Sequence, residues 1–190
     1  MRRKLFNGKM LGVLAVILVL FMAGGVAEEV KRSGNWKYFL EGDGAIITGY
    51  VKEPRGTLKI PSKLGKYAVT GIDEGVFEFC NGLIRVVIPK GITHIGNEAF
   101  MGCENLTGVT FPSRVTSIGN KAFYGCHRLT GVTLPAGVTS IDDRAFDDCW
   151  YLTDVLSIPD TLSLINGGRA LTTLRNNMPK PSAISPKPSN

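Results

Sequence analysis

The chain has 190 residues and a formal net charge of +6, enough for one domain with a modest core. Arg2, Arg3, Lys4 and Lys9 crowd the first nine positions, and from Glu28 onward 18 basic residues face 16 acidic ones with no clustering of the basic set. That dispersion argues against nucleic-acid binding, which needs a concentrated basic patch.

Residues 1–27 follow the three-part grammar of a secretory signal peptide. Met1 to Lys9 is short and basic, Met10 to Met22 is apolar, and Ala23 to Ala27 is small, with Gly25 and Ala27 suited to the −3 and −1 positions of a cleavage site. The apolar run is short of the roughly 18 residues of a membrane span. An uncleaved N-terminal anchor is the alternative.

Residues 28–68 read as an N-terminal cap. Glu28 to Gly34 is polar and is expected to lack structure. Trp36 to Leu40 and Ala45 to Val51 flank the turn-forming Glu41-Gly42-Asp43-Gly44, which predicts a β-hairpin. Thr57-Leu58-Lys59-Ile60-Pro61 then echoes Gly131-Val132-Thr133-Leu134-Pro135, with five extra residues before Val69-Thr70-Gly71-Ile72. This is an imperfect first repeat, of the kind a solenoid needs to close its open end.

Residues 69–166 carry the dominant signal. Cys80, Cys103, Cys126 and Cys149 lie 23 residues apart, and so do Phe77, Phe100, Phe123 and Phe146. Ile72, Ile95, Ile118 and Ile141 keep the interval, as do Leu83, Leu106, Leu129 and Leu152. A period in the twenties marks a leucine-rich-type array. Within one copy, Leu106 to Phe111 follows L-x-x-L-x-L, with Val109 and Phe111 alternating against Gly108 and Thr110 as a strand does. Pro112 ends that strand because it cannot donate to a ladder. Val115 and Ile118 bracket a second short extended piece. Asn120 is placed to cap a single helical or 3₁₀ turn, as Asn97 and Asp143 are in their copies. No one coil can bury its own apolar positions, whereas stacked coils can.

The sequence Ile95-Gly96-Asn97-Glu98-Ala99-Phe100 with Cys103, Leu106, Thr107 and Val109, followed by Val115-Thr116-Ser117-Ile118-Gly119, resembles the BspA-type (bacterial surface antigen) leucine-rich repeat. Gly44 to Tyr50 resembles the start of such domains. The resemblance implies a curved parallel solenoid on an exported protein, with surface display and adhesion to host or matrix proteins. The expected fold is thus a short, right-handed leucine-rich-repeat stack of about five coils, with parallel β-strands and a hairpin cap. After Ile165 the A-F-x-x-C segment is lost, and residues 167–190 read as a closing segment and a Pro/Ser-rich tail.

The four cysteines invite a disulfide reading, since an exported chain with four allows three pairings. Stacking would hold their Cβ atoms near the strand spacing of about 4.8 Å, wider than the ~3.8 Å that a disulfide prefers. A ladder of buried free thiols is expected instead. One cysteine per coil offers no converging metal site. His94 and His127 occupy different repeat positions with no nucleophile at a matched distance, so surface roles are expected rather than general-base work. Asn105-Leu106-Thr107 fits the glycosylation pattern, but Leu106 and Thr107 are set by the repeat. Asp142, Asp143, Asp147 and Asp148 lack the alternating oxygen ligands and glycine of a calcium loop.

What remains is a face. The outward residues of the main strands are Lys59, Arg85, Val87, Gly108, Thr110, Gly131, Thr133 and Asp154, running from basic through small and neutral to acidic. Lys59, Arg85, Val87, Thr110, Thr133 and Asp154 are the expected binding residues. The expected function is non-enzymatic, cofactor-free binding of a protein or glycan outside the cytoplasm, secreted or on the cell surface, with no membrane span once the signal is removed. The alternatives are a structural part of the cell envelope or, from another class, a small exported hydrolase.

Overall fold

The computed structural model describes residues 29–142 and 144–157. The segments expected to be a signal peptide, a closing coil and a Pro/Ser-rich tail lie outside these residues, as does Asp143. The described chain is all β-strand and turn. Its strands are β1 (Lys31–Ser33), β2 (Trp36–Glu41), β3 (Gly44–Tyr50), β4 (Gly56–Lys59), β5 (Lys63–Leu64), β6 (Tyr67–Ile72), β7 (Leu83–Val87), β8 (His94–Ile95), β9 (Gly108–Thr110), β10 (Ser117–Ile118), β11 (Gly131–Thr133), β12 (Ser140–Ile141) and β13 (Asp154–Ser157).

These strands form two sheets. Sheet B runs β4-β7-β9-β11-β13 and is parallel throughout. Sheet A runs β1-β2-β3-β6-β8-β10-β12, with β5 also paired to β6. The chain alternates between the sheets once per coil, so each turn of the spiral lays one strand on each. This is the parallel solenoid that the 23-residue period predicts.

The period fixes register as well as topology. Ile72 pairs with Ile95, Ile95 with Ile118, and Ile118 with Ile141. Identical residues therefore stack in columns. Phe77, Phe100, Phe123 and Phe146 are fully buried, with successive ring centroids 4.9, 5.2 and 5.4 Å apart and planes within 13° of parallel. The spacing is set by the coil rise, a strand separation of about 4.8 Å, which suits offset ring stacking.

All four thiols are unpaired and buried. Three of them donate to the preceding coil: Cys103 Sγ to Phe77 O at 3.1 Å, Cys126 Sγ to Phe100 O at 3.3 Å and Cys149 Sγ to Phe123 O at 3.2 Å. Threonines satisfy backbone between coils in the same way. The hydroxyls of Thr93, Thr116 and Thr139 donate to the carbonyls of Thr70, Thr93 and Thr116. Among the described residues no polar or charged residue is buried, so the core is wholly apolar.

The corner after each short strand is not the helical turn expected from the sequence. Its backbone donors alternate. The N–H groups of Glu98, Phe100 and Gly102 reach the carbonyls of Asn120, Ala122 and Tyr124 in the next coil, at 2.8, 2.8 and 2.7 Å. Those of Ala99, Met101 and Cys103 bond locally to Gly96, Glu98 and Phe100. A helix would direct every donor inward along its own turn. Here the neighbouring coil takes every second one. Such alternation needs left-handed backbone at two places per corner. One is Gly75, Glu98, Lys121 and Arg144; the other is Phe79, Gly102, Gly125 and Asp148. Asn97 caps no helix; its Oδ1 accepts the Asn120 N–H at 2.9 Å.

The cap departs from expectation twice. Residues 31–33, read as unstructured, form β1 and pair antiparallel with β2. The extra residues after Pro61 form β5, which folds back on β6 through Gly65-Lys66. The hairpin itself is present, with Glu41 opposite Gly44, and β3 continues parallel into β6. Tyr50 lies on the column, 5.9 Å from Phe77 and 10° from parallel, and Trp36 meets the same ring edge-on at 6.2 Å.

Candidate functional site

Sheet B positions the residues singled out in the sequence. Along β7 the L-x-x-L spacing sends Leu83 and Val86 inward and leaves Ile84, Arg85 and Val87 exposed. Register then assembles rows across the strands. Arg85 pairs with Gly108, Gly108 with Gly131, and Gly131 with Asp154. In the second row Lys59 pairs with Val87 and Val87 with Thr110, and Thr133 lies two residues beyond Gly131 on β11. All six expected binding residues are exposed on this one face.

The glycines shape it. A guanidinium nitrogen of Arg85 lies 3.6 Å from where a Cβ on Gly108 would stand, so the Arg85 head group reclines across the neighbouring strand. Arg85 and Asp154 are three strand steps apart, about 14 Å, too far to pair. The floor between them is Gly108, Gly131 and the methyl and hydroxyl groups of the threonines. The face therefore offers a cation at one side, an anion at the other, and low relief between.

A second concavity was not anticipated from the sequence. Where the cap hairpin meets the short strands of sheet A, a cleft of about 470 Å³ opens. Its lining includes Phe39 and Glu41 from β2, Asp73, Glu74 and His94, and Asn97, Ser117 and Asp142 from successive coils. One column of its floor is Asp73, Gly96, Gly119 and Asp142, whose N–H groups donate in turn to Ile47, Ile72, Ile95 and Ile118. The 23-residue interval of that column was the available signal, but two of its four members are glycine and looked featureless. His94 extends over Gly71, which a side chain there would obstruct. Its Nδ1 is 3.3 Å from Thr93 Oγ1.

The other histidine marks a third feature. His127 stacks on Trp150, one period later, with centroids 3.9 Å apart and planes 12° from parallel. Trp150 and Tyr151 are exposed. In the same coils the Tyr124 phenol donates a hydrogen bond to the Asp148 carboxylate, whose acceptor and charge hold the phenol above its ordinary range. Asn105 is engaged as well: its side-chain amide donates to Asn81 O at 3.0 Å, and the Thr107 hydroxyl donates to Ile84 O at 2.9 Å. The residues of the glycosylation pattern thus serve coil-to-coil bonding.

Among the described residues no three His, Cys, Asp or Glu side chains come close enough to hold a metal. The thiols are poor nucleophiles here. Burial pushes Cys103 and Cys126 well up, and Cys149 up to about 12, which leaves little thiolate at neutral pH.

Two stacks of parallel strands, wound from one short repeat with an L-x-x-L-x-L strand, define a leucine-rich-repeat solenoid. The chain belongs to the BspA type Leucine rich repeat region family, whose model matches residues 60–169 in six copies. It is similar to the crystal structure of the leucine-rich repeat protein of T. pallidum, with 28% identity and a TM-score of 0.53 over 63% of this chain and 67% of that one. It is similar also to a leucine-rich repeat protein from Bacteroides capillosus, with 28% identity and a TM-score of 0.55 over 61% of this chain and 89% of that one. A leucine rich cell surface protein from Faecalibacterium prausnitzii shares the fold at 22% identity, with a TM-score of 0.50 over 71% of this chain and 56% of that one. No match was found among curated protein sequences.

Proposed function

We propose that this chain is a non-enzymatic binding module that works outside the cytoplasm and holds a protein or glycan partner on the outer face of sheet B. The observation that carries the reading is the register. Lys59, Arg85, Val87, Thr110, Thr133 and Asp154 come from five separate coils and yet form two adjacent exposed rows. Nothing in the interior requires those residue types, because each points away from the core. The export reading rests on the basic, apolar and small-residue segments of residues 1–27. Surface display and adhesion follow from the family resemblance.

The face is small. Five strands at about 4.8 Å span roughly 20 Å, which suits a modest one-to-one affinity strengthened by display in many copies. The test is capture of extracellular-matrix proteins and of immobilised glycans by the chain from Glu28 to Asn190. Changing Arg85, Thr110 and Thr133 together to Glu abolishes capture while leaving the urea midpoint in place, because all three side chains are exposed. Capture that survives the triple change moves the site off sheet B.

A further inference from the structure

We infer that the cleft on sheet A is a second binding site, separate from the sheet B face, and that it receives a basic, extended segment of a partner protein through its lysine or arginine side chains. The lining presents Glu41, Asp73, Glu74 and Asp142 with no lysine or arginine among them, in a chain whose basic residues outnumber its acidic ones. Among the described residues, Glu41, Asp73 and Glu74 take part in none of the ion pairs, which are Lys31–Glu29, Arg55–Glu53 and Lys121–Glu98.

The remaining polar groups reinforce the preference for a donor. Asn97 and Ser117 add side-chain oxygens to the lining, and His94 stands among them with its Nδ1 3.3 Å from Thr93 Oγ1. A ligand of many donors and no acceptors, a guanidinium or an ammonium, complements this set. Phe39 supplies an aromatic wall against which a cation can rest.

Geometry selects a segment over an ion. Asp73 and Asp142 stand in one column three coils apart, about 14 Å, and among the described residues no three ligating groups gather within reach of a metal. A volume of about 470 Å³ falls in the range of ligand clefts, roughly 300–1,000 Å³, and exceeds what one ammonium fills. Carboxylates spaced along a cleft match basic side chains spaced along an extended chain. The cap contributes Phe39 and Glu41, so the site exists only where the antiparallel hairpin meets the parallel coils.

The probe is a fluorescein-labelled peptide of four arginines separated by prolines, with a tetra-glutamate peptide of the same design as control, titrated into the chain from Glu28 to Asn190. The arginine peptide binds, and the glutamate peptide does not. The double variant Asp73→Asn/Glu74→Gln lowers the affinity about tenfold or more, as does raising the salt, since exposed charge pairs are screened. Arg85→Glu on sheet B leaves the affinity unchanged, which separates this site from the one proposed above. Asp142→Asn, at the other end of the column, reports independently should the double variant fail to fold. Absence of binding, or binding that neither carboxylate change weakens, overturns the inference. Binding that emerges only when residues 175–190 are removed places the chain's own Arg175, Lys180 and Lys187 in the cleft and overturns the partner reading.

Discussion

The first rung of the aromatic column and the rungs below it do the same work with different residues. Inside the array, Phe77, Phe100 and Phe123 each stack on the next ring, and the backbone carbonyl of each accepts a hydrogen bond from a thiol of the coil that follows. At the top there is no preceding phenylalanine. Tyr50 on the hairpin supplies the ring for Phe77, and its hydroxyl is hydrogen-bonded to Cys80 Sγ at 3.1 Å, where the coils below use a backbone carbonyl. A repeat can be read from its period because each copy solves one problem in one way. A cap solves the same problem once, with whatever side chain reaches.

The sharpest way to break the comparison is to remove an interior rung. Phe100 is fully buried with a parallel ring on each side, so Phe100→Ala should cost about 3–5 kcal/mol. Urea unfolding followed by circular dichroism measures it. That loss reaches the lower end of the stability of a typical domain, about 5–15 kcal/mol, which is where so short a stack is expected to lie. A cost below about 1 kcal/mol would mean that the column is not what holds the coils together.

The glycine column of sheet A is the next most sensitive place. A Cβ on Gly119 would stand 2.6 Å from Asn97 Oδ1, 2.8 Å from Asn97 N and 2.9 Å from Gly96 C. Two of those atoms are backbone and cannot swing aside. Gly119→Ala should therefore destabilise by about 1–3 kcal/mol and should spread the cleft as well. Gly131→Ala on sheet B meets only Asp154 O and Cβ, at 3.2 and 3.3 Å, and should cost less. The two urea midpoints compare the sheets directly.

How much of this was legible follows from the same contrast. The columns of Ile, Phe, Cys and Leu, the two extended pieces per coil, the hairpin and the outward rows of sheet B all announce themselves through spacing or alternation. Strand β1 does not, because Lys31, Arg32 and Ser33 carry no apolar pattern; β2 lends them a partner edge, and the backbone does the rest. The corner conformation was hidden for a related reason. Its donors are satisfied in the next coil, and a local reading of Asn97 or Asn120 as a cap has no view of that coil. The cleft needs residues from the hairpin and from several coils at once, so only the assembled fold displays it.

Alkaline pH tests the buried thiols as a set. Burial raises Cys80, Cys103, Cys126 and Cys149 above the ordinary thiol value of 9.0, Cys149 to about 12. The folded state then holds these protons more tightly than the unfolded chain does. Their contribution to stability is fully present below about pH 9 and is lost as the pH rises towards 12 and beyond. The urea midpoint should be flat with respect to thiol titration up to about pH 9 and fall above it, with unfolding at high pH releasing up to about four protons. Alkylation in native buffer at pH 8 should be slow at all four sites and fast in denaturant. Rapid native alkylation of Cys126 would contradict the buried ladder.

Tyr50→Phe separates the two roles of the top rung. The ring and its stacking on Phe77 remain, and only the hydroxyl contact with Cys80 is lost. The expected cost is about 0.5–1.5 kcal/mol, against a larger loss for Tyr50→Ala, which removes the ring. Equal effects from the two variants would assign the work of the cap to the hydroxyl rather than the ring.

The smallest effect concerns the corners, where the coils differ among themselves. Gly75, Glu98, Lys121 and Arg144 share one left-handed position, with φ of 64, 55, 53 and 59°. Glycine occupies it freely, whereas any other L-residue pays roughly 1–2 kcal/mol there. Part of that is returned, because glycine has more freedom to lose on folding, roughly 0.5–1 kcal/mol. Lys121 and Glu98 also pair with each other at 3.3 Å, which complicates either substitution. Arg144 is exposed, so Arg144→Gly isolates the backbone term. It should stabilise the last described coil by some tenths of a kcal/mol, up to about 1, and Gly75→Arg should destabilise the first coil by a similar amount. Opposite signs at equivalent positions of the first and last coils show that the corner is dictated by the stack. Equal signs would mean that each corner sets its own conformation.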